Sequence, residues 1–397
     1  MTKGEFIIGI NYWPRRKAMY WWKEFDEDEV KEEFREIRDL KAKIVRFFLL
    51  WEDFQPKPDV VDQGSLAKLE IVLDYTHKYN LKAMPTLIVG HMSGVNWAPY
   101  WALSPIRNSP HPVISSSKIT DLGIRDIYED PDMLNAELLL VRTVVSRFSE
   151  HPAIFAWDIS NEPGHFLTPK SAKAAKRWCS LIATEIRRVD PHHPLTLGLS
   201  GRSLKYDIGF HVNELSSILD IISIHGYLGT VPGADNPPDT DAIPFLNVLM
   251  EHLTKKPVLL QEFGVPSVPA EEIDIYDRRR GILSYEDAAQ YYREVLEKLH
   301  RIGSLGVLVW CFSDYDKRLW DRPPLNKKII ERFFGLTRSD GELKPQGYAF
   351  RDFASKRKRR VLCPVELDIN VEKYYMAPLD NLLIAFKHFK ERIKRVL

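Results

Sequence analysis

Eight short apolar runs, rich in β-branched and aromatic residues, recur between residues 5 and 312 of this 397-residue chain. They read EFIIGIN (5–11), KIVRFFLL (43–50), LKAMPTLIV (81–89), AIFAWDIS (153–160), PLTLGLS (194–200), DIISIHGY (220–227), PVLLQEFG (257–264) and GVLVWCF (306–312). Segments of helical period separate them, at 26–42, 65–79, 132–150, 169–188, 241–254 and 285–302. Strand-length runs alternating with helical patterns are the mark of βαβ units and a parallel sheet. Eight such runs with no break in the alternation predict an α/β fold, a closed (β/α)8 TIM barrel. A doubly wound open sheet is the alternative that periodicity alone leaves standing.

Polar and aromatic residues gather at one end of these runs. Asn11, Tyr12 and Trp13, then Trp51 and Glu52, His91, Asn161 and Glu162, His225 and Tyr227, Glu262 and Trp310 all fall at the C-terminal side of an apolar segment. In a parallel barrel those ends share one face, where active sites are built. A glutamate there is expensive unless wanted, because a desolvated carboxylate without a partner costs several kcal/mol, roughly, or shifts its pKa. Two of them, Glu162 after the fourth run and Glu262 in the seventh, come from nearly opposite sides of an eight-strand ring and can converge across its mouth. Retaining glycoside hydrolysis needs two carboxyl groups about 5–5.5 Å apart, one a nucleophile and one an acid then a base. The acid must hold its proton until the bond breaks, and a nearby negative charge raises its pKa. Arg46, the lone charge of its run, is expected in the barrel mouth, where a guanidinium would stabilise an ionised Glu262.

The loop from Gly90 to about Asp130 is long and carries Trp97, Tyr100 and Trp101, so Trp97 and Trp101 are expected to wall the site. Other chemistries find less support. The histidines show no H-E-x-x-H spacing and the cysteines no pairing, so no metal is expected. No glycine-rich phosphate loop opens a helix, so no cofactor is expected. Lys plus Arg number 56 and Asp plus Glu 55, a balance that gives no electrostatic reason for nucleic-acid binding.

Asn161-Glu162-Pro163 after a fourth strand, with Glu262 in LLQEFG ending a seventh, resembles clan A of the retaining glycoside hydrolases. Arg46, His91, the His225-Gly226-Tyr227 spacing and Trp310 narrow the resemblance to glycoside hydrolase family 5. The resemblance implies Glu162 as acid/base and Glu262 as nucleophile. It also implies that Asn161 bonds the sugar 2-hydroxyl, that His225 and Tyr227 position the carboxyls, and that Trp310 floors the subsite of the attacked sugar. GINYWP, VRFFLLWEDFQP and FGLTRSDGELKP look most like the mannose-directed branches, which implies β-mannoside or manno-oligosaccharide cleavage of the mannosidase or mannanase type. A β-1,4-glucanase or β-glucosidase is the alternative on the same machinery, and a sugar-binding barrel without catalysis is another.

The remaining features set expectations about context. The N-terminus, MTKGEFIIGINYW, lacks the long apolar run and small-residue cleavage site of a signal peptide, and no stretch approaches the roughly 18 apolar residues of a membrane span. Cys179, Cys311 and Cys363 are few and odd in number, as in a reducing compartment. A soluble, cytoplasmic protein meeting short oligosaccharides is expected, with exo action or short-chain cleavage favoured. Charged residues at 28% with only five glutamines lean toward a heat-adapted source. A catalytic barrel is expected over 1–360 and an extension over 361–397. The basic run KRKRR (356–360) reads as a solvated helix end rather than a nuclear signal. LDNLLIAFKHFKERIKRVL keeps helical spacing of apolar residues, suited to packing on the barrel or, as the sharper reading, to a homo-oligomer contact.

Overall fold

A computed structural model describes residues 4–234, 238–276, 281–356, 359–360 and 365–394. All eight expected strands form: β1 (Ile7–Asn11), β2 (Ile44–Leu50), β3 (Lys82–Val89), β4 (Trp157–Asn161), β5 (Leu195–Gly198), β6 (Ile222–Gly226), β7 (Val258–Phe263) and β8 (Gly306–Val309). They make one parallel sheet in the order β5-β4-β3-β2-β1-β8-β7-β6. The two outer strands meet through a parallel bridge between Ser200 and His225, where His225 N donates to Leu199 O at 2.8 Å and Gly201 N to His225 O at 3.0 Å. That seam closes the barrel, and the open-sheet alternative falls.

The helices follow the predicted periods: α1 (Glu27–Asp39), α2 (Gln63–Lys78), α3 (Pro131–Phe148), α4 (Ala172–Val189), α5 (Ala242–Thr254) and α6 (Tyr285–Arg301). Local chemistry starts most of them. The side chains of Asp26, Asp62, Asp130, Ser171 and Ser284 each accept a backbone N–H from the first turn of their helix, which satisfies donors that would otherwise be unpaired. Between β5 and β6 only two single-turn helices occur, Arg202–Lys205 and Val212–Leu215. Inside the barrel, Ile7, Ile44, Met84, Ala156, Ile221, Leu259 and Leu308, from the starts of the strands, form an apolar plug. The polar cavity described below therefore opens at the other end.

Beyond β8 lie the helices α7 (Pro345–Ser355) and α8 (Pro378–Ile393). Leu382, Ala385, Phe389 and Ile393 turn inward, and the rings of Phe386 and Phe389 lie 5.0 and 5.6 Å from that of Phe245 on α5. Lys390 Nζ reaches Asp239 at 2.8 Å and Asp241 at 2.7 Å. The extension thus packs on the barrel. The basic run is more than a solvated helix end: α7 stops at Ser355, and Arg360 N donates to Gly4 O at 2.8 Å while Arg359 bridges Glu5. Arg357, Lys358 and Cys363 lie outside the described residues, and Cys179 and Cys311 are buried free thiols. Among the described residues no helix is long and apolar enough to cross a membrane.

Candidate active site

A cavity of about 580 Å³ opens at the C-terminal ends of the strands, within the range of about 300–1,000 Å³ usual for small-molecule sites. Glu162, Glu262, Asn161, His91, Tyr227 and Trp310 line it. Carboxylate oxygens of Glu162 and Glu262 and a ring nitrogen of His225 all lie within 4.8 Å of one another. The two acids, a hundred residues apart in the chain, therefore face each other as expected.

Register explains how each side chain arrives. Along β6 and β7 a shift between Ile224 and His225 sets His225 beside Glu262. On β1 and β2, Asn11 pairs with Arg46. Glu162 follows β4 in left-handed backbone, with φ 45 and ψ 54. Its N–H donates to Gly198 O at 2.8 Å, and Pro163 opens the single-turn helix Pro163–Phe166. A glutamate in that region is held against a cost of about 1–3 kcal/mol, a form of strain concentrated at functional sites. The close approach at the end of β5 requires glycine: a Cβ on Gly198 would come within 2.8 Å of Arg46 Nη2 and 3.0 Å of His225 Nε2.

Arg46 organises the floor. Wholly buried, it donates to Glu262 Oε1 at 2.5 Å, Asp158 Oδ2 at 2.9 Å, Asn11 Oδ1 at 3.0 Å and Asn161 Oδ1 at 2.8 Å. Burial works against its charge, but the Asp158 and Glu262 carboxylates outweigh burial and raise its pKa. Tyr227 donates to Glu262 Oε2 at 2.6 Å. Burial, then Glu262, pushes that phenol far up, so it stays a donor. Asn161 Nδ2 donates to His91 O at 2.9 Å, which together with Arg46 fixes its amide.

The acid side differs from expectation. Burial pushes the Glu162 carboxyl up, yet the imidazoles of His165 and His225 outweigh burial and hold it below the usual carboxylate range. The anticipated upward shift from Glu262 does not win, because histidines crowd closer. His225 Nδ1 is 2.9 Å from Glu162 Oε1 and its Nε2 is 3.2 Å from Gln261 Oε1. Both ring nitrogens face acceptors. Burial lowers its pKa, but Glu262 and Glu162 more than offset this, so His225 is raised. The proton of the Glu162–His225 pair rests on the imidazole.

His91 has a defined tautomer. Asn96 Nδ2 donates to Ser109 Oγ, His165 O and Phe166 O, so its Oδ1 must face His91 Nδ1, 2.6 Å away. That nitrogen carries the proton, and Nε2 points toward Glu162 Oε2 at 3.8 Å. Burial, then His165, depresses His91 to about 3. His111, 2.9 Å from His165, is depressed to about 4 by burial and then by His165.

Two expected residues are elsewhere. Trp97 and Trp101 are not among the cavity-lining residues. Trp97 is buried with its ring 5.6 Å from that of Tyr20, and Trp101 packs on Trp51 at 5.3 Å and donates to Gln55 O. The long loop folds into short strands, including His91–Met92, Val95–Trp97 and Val113–Ser115, and its two tryptophans pin it to segments around β1 and β2. Its share of the wall is His91, Met92, Ser93 and Gly94. Residues missed from the sequence include Asp158, His165, Arg202 and Glu331. Asp158 is a lone charge in a buried strand, the same signal that singled out Arg46.

Fold and site together define a (β/α)8 barrel with two carboxyls facing each other across its mouth, one after β4 and one in β7. The model for glycoside hydrolase family 5 β-mannosidase-like proteins matches residues 138–314. Mannan endo-1,4-β-mannosidase 7 of Arabidopsis thaliana is 24% identical over 226 residues, covering 49% of this chain and 46% of that protein. The chain spans less than two thirds of the length of these curated relatives, 60% for putative mannan endo-1,4-β-mannosidase 9 of Oryza sativa subsp. japonica. A subfamily 18 variant of family 5 from Streptomyces cattleya, in complex with Manβ1-4GlcNAc, has a TM-score of 0.78 and 20% identity, covering 97% of this chain and 90% of that one. The exo-β-1,4-mannosidase Op5Man5 from Opitutaceae bacterium strain TAV5 has a TM-score of 0.72 and 24% identity, covering 88% and 59%.

Proposed function

We propose that the protein is a retaining β-mannosidase that cleaves mannosides or short manno-oligosaccharides by double displacement. The observation that carries this reading is the approach of the Glu162 and Glu262 carboxyls to within 4.8 Å. That spacing fits the about 5–5.5 Å of a retaining site better than the about 6.5–9.5 Å of an inverting one. Glu262, oriented by Arg46 and Tyr227, attacks the anomeric carbon. Glu162 passes a proton to the leaving oxygen and draws on the one held by His225. In the second step Glu162 takes a proton from water, which displaces the Glu262 ester and releases the sugar. Asn161, clamped by Arg46 and the His91 carbonyl, offers its amide to the 2-hydroxyl, and Trp310 supplies an apolar face beneath the ring.

Mannose is supported by the family described for residues 138–314, and by the neighbour that binds Manβ1-4GlcNAc. The test compares hydrolysis of aryl β-mannoside and aryl β-glucoside by the wild type and by Glu262→Ala. Mannoside cleavage that vanishes in the variant supports the reading. A clear preference for the glucoside overturns the sugar, and a wild type that binds sugars but cleaves neither overturns the enzyme.

A further inference from the structure

The cavity holds a third carboxyl group that the double displacement does not use. After β8 the chain returns over the mouth, and the 3₁₀ turn Ile329–Phe333 brings Ile330 and Glu331 to the cavity, next to Phe334. Facing them is the tight turn between His91–Met92 and Val95–Trp97, in which Ser93 and Gly94 have φ of 53 and 71. The turn packs closely on the post-β8 segment, since a Cβ on Gly94 would come within 2.9 Å of Lys328 Cε. Glu331 Oε2 and Ser93 Oγ are both buried, and the Ser93 hydroxyl supplies the one side-chain hydrogen bond that pulls on the Glu331 carboxyl. A buried carboxyl left with a single hydroxyl partner is under-satisfied, at a cost of about 1–3 kcal/mol. In a site for a polyhydroxylated ligand, a hydroxyl that pairs with it recovers that cost. Burial, followed by the Glu262 and Glu162 charges against the pull of Ser93 and Lys328, raises Glu331 to about 7.

Direction follows from the acid. The leaving group departs from the oxygen that Glu162 protonates, and beyond Glu162 the cavity is lined by His165, Ser200 and Arg202. The attacked sugar, over Trp310, must then turn its far end to the remaining wall, where Ser93 and Glu331 stand. We infer that Glu331 is a substrate-binding residue that reads the hydroxyls of a chain-terminal sugar and, with Ser93, shuts the cavity to a longer glycone. The protein then removes single sugars from non-reducing ends. This rests on the glycosidase reading above, though not on the identity of the sugar.

The test uses whichever aryl β-glycoside the wild type cleaves, so a wrong sugar assignment leaves it intact. Glu331→Ala is expected to raise KM about tenfold or more while kcat changes by less than about threefold, and Glu331→Gln, which keeps one acceptor oxygen, to recover part of the loss. On an oligosaccharide labelled at its reducing end, the wild type is expected to release only monosaccharide, shortening the labelled chain one unit at a time. An unchanged KM in Glu331→Ala, or internal cleavage by the wild type, overturns the inference while leaving the glycosidase reading in place.

Discussion

Each acid of the pair has its own keeper. Glu262 is held by Arg46 and Tyr227, Glu162 by His225. Glu262→Ala removes the nucleophile and is expected to cut kcat by about 10,000-fold or more. Glu162→Ala is expected to lose about 100- to 10,000-fold on an alkyl or sugar leaving group, but much less on dinitrophenyl glycoside, whose anion leaves without a proton. Equal losses on both leaving groups would contradict its role as the acid. His225 carries the shared proton at a raised pKa. Replacing it by asparagine leaves Glu162 to hold the proton alone, so the alkaline limb of the kcat/KM profile should move to lower pH. An unmoved limb would contradict the shared proton. These residues differ in how far the sequence reveals them. Arg46, Glu162 and Glu262 stand out as charges where apolar strands should continue or end. The resting place of the proton depends on His165 and His225, which come from separate segments, and no one-dimensional pattern carries that.

Among the elements, the strands were readable because a barrel strand buried on both faces must be apolar throughout, and the helices because only one face is. Loops obey neither rule. Aromatic content marked the loop after β3 as important without saying which way its rings face, and Trp97 and Trp101 turned inward. Glu331 sits in a 3₁₀ turn with no periodicity to expose it. The post-β8 segment that carries it is pinned by Lys344, whose buried Nζ donates to Asp314 Oδ1 at 3.0 Å, Ser267 O at 3.1 Å and Phe333 O at 2.9 Å. Lys344→Met strands Asp314 and is expected to cost about 3–5 kcal/mol in urea unfolding. Pairing it with Asp314→Leu should recover much of that loss, and a double variant no better than the single would contradict the pairing. On the far side of the barrel, Phe389→Ala opens a cavity between α8 and α5 and is expected to cost about 3–5 kcal/mol. A negligible change would mean that α8 is not held by this contact.

Across the whole molecule, several buried acids respond to pH together. Burial raises Glu33 to about 8, against the pull of Arg15, and Asp53 to about 7, against Lys23, and Glu331 is also raised to about 7. A folded-state pKa above the unfolded one means that the native protein binds more protons in the interval between them, so stability falls as pH rises through it. His225, raised too, acts in the same sense. His91 and His111, depressed to about 3 and 4, oppose this only below about pH 6.5, where the unfolded chain takes up their protons. Tm is therefore expected to fall between pH 6.5 and 8.5, with a shallower slope in Glu33→Gln. A Tm that rises over that window would contradict these assignments.

The central claim is that Glu162 and Glu262 act from opposite sides of one sugar through a covalent intermediate. Proton NMR of the first sugar released from an aryl β-mannoside reads this directly, before mutarotation blurs it. The account predicts β-mannose first, with the α anomer growing in later. First-formed α-mannose would mean a single inverting displacement and would contradict the account.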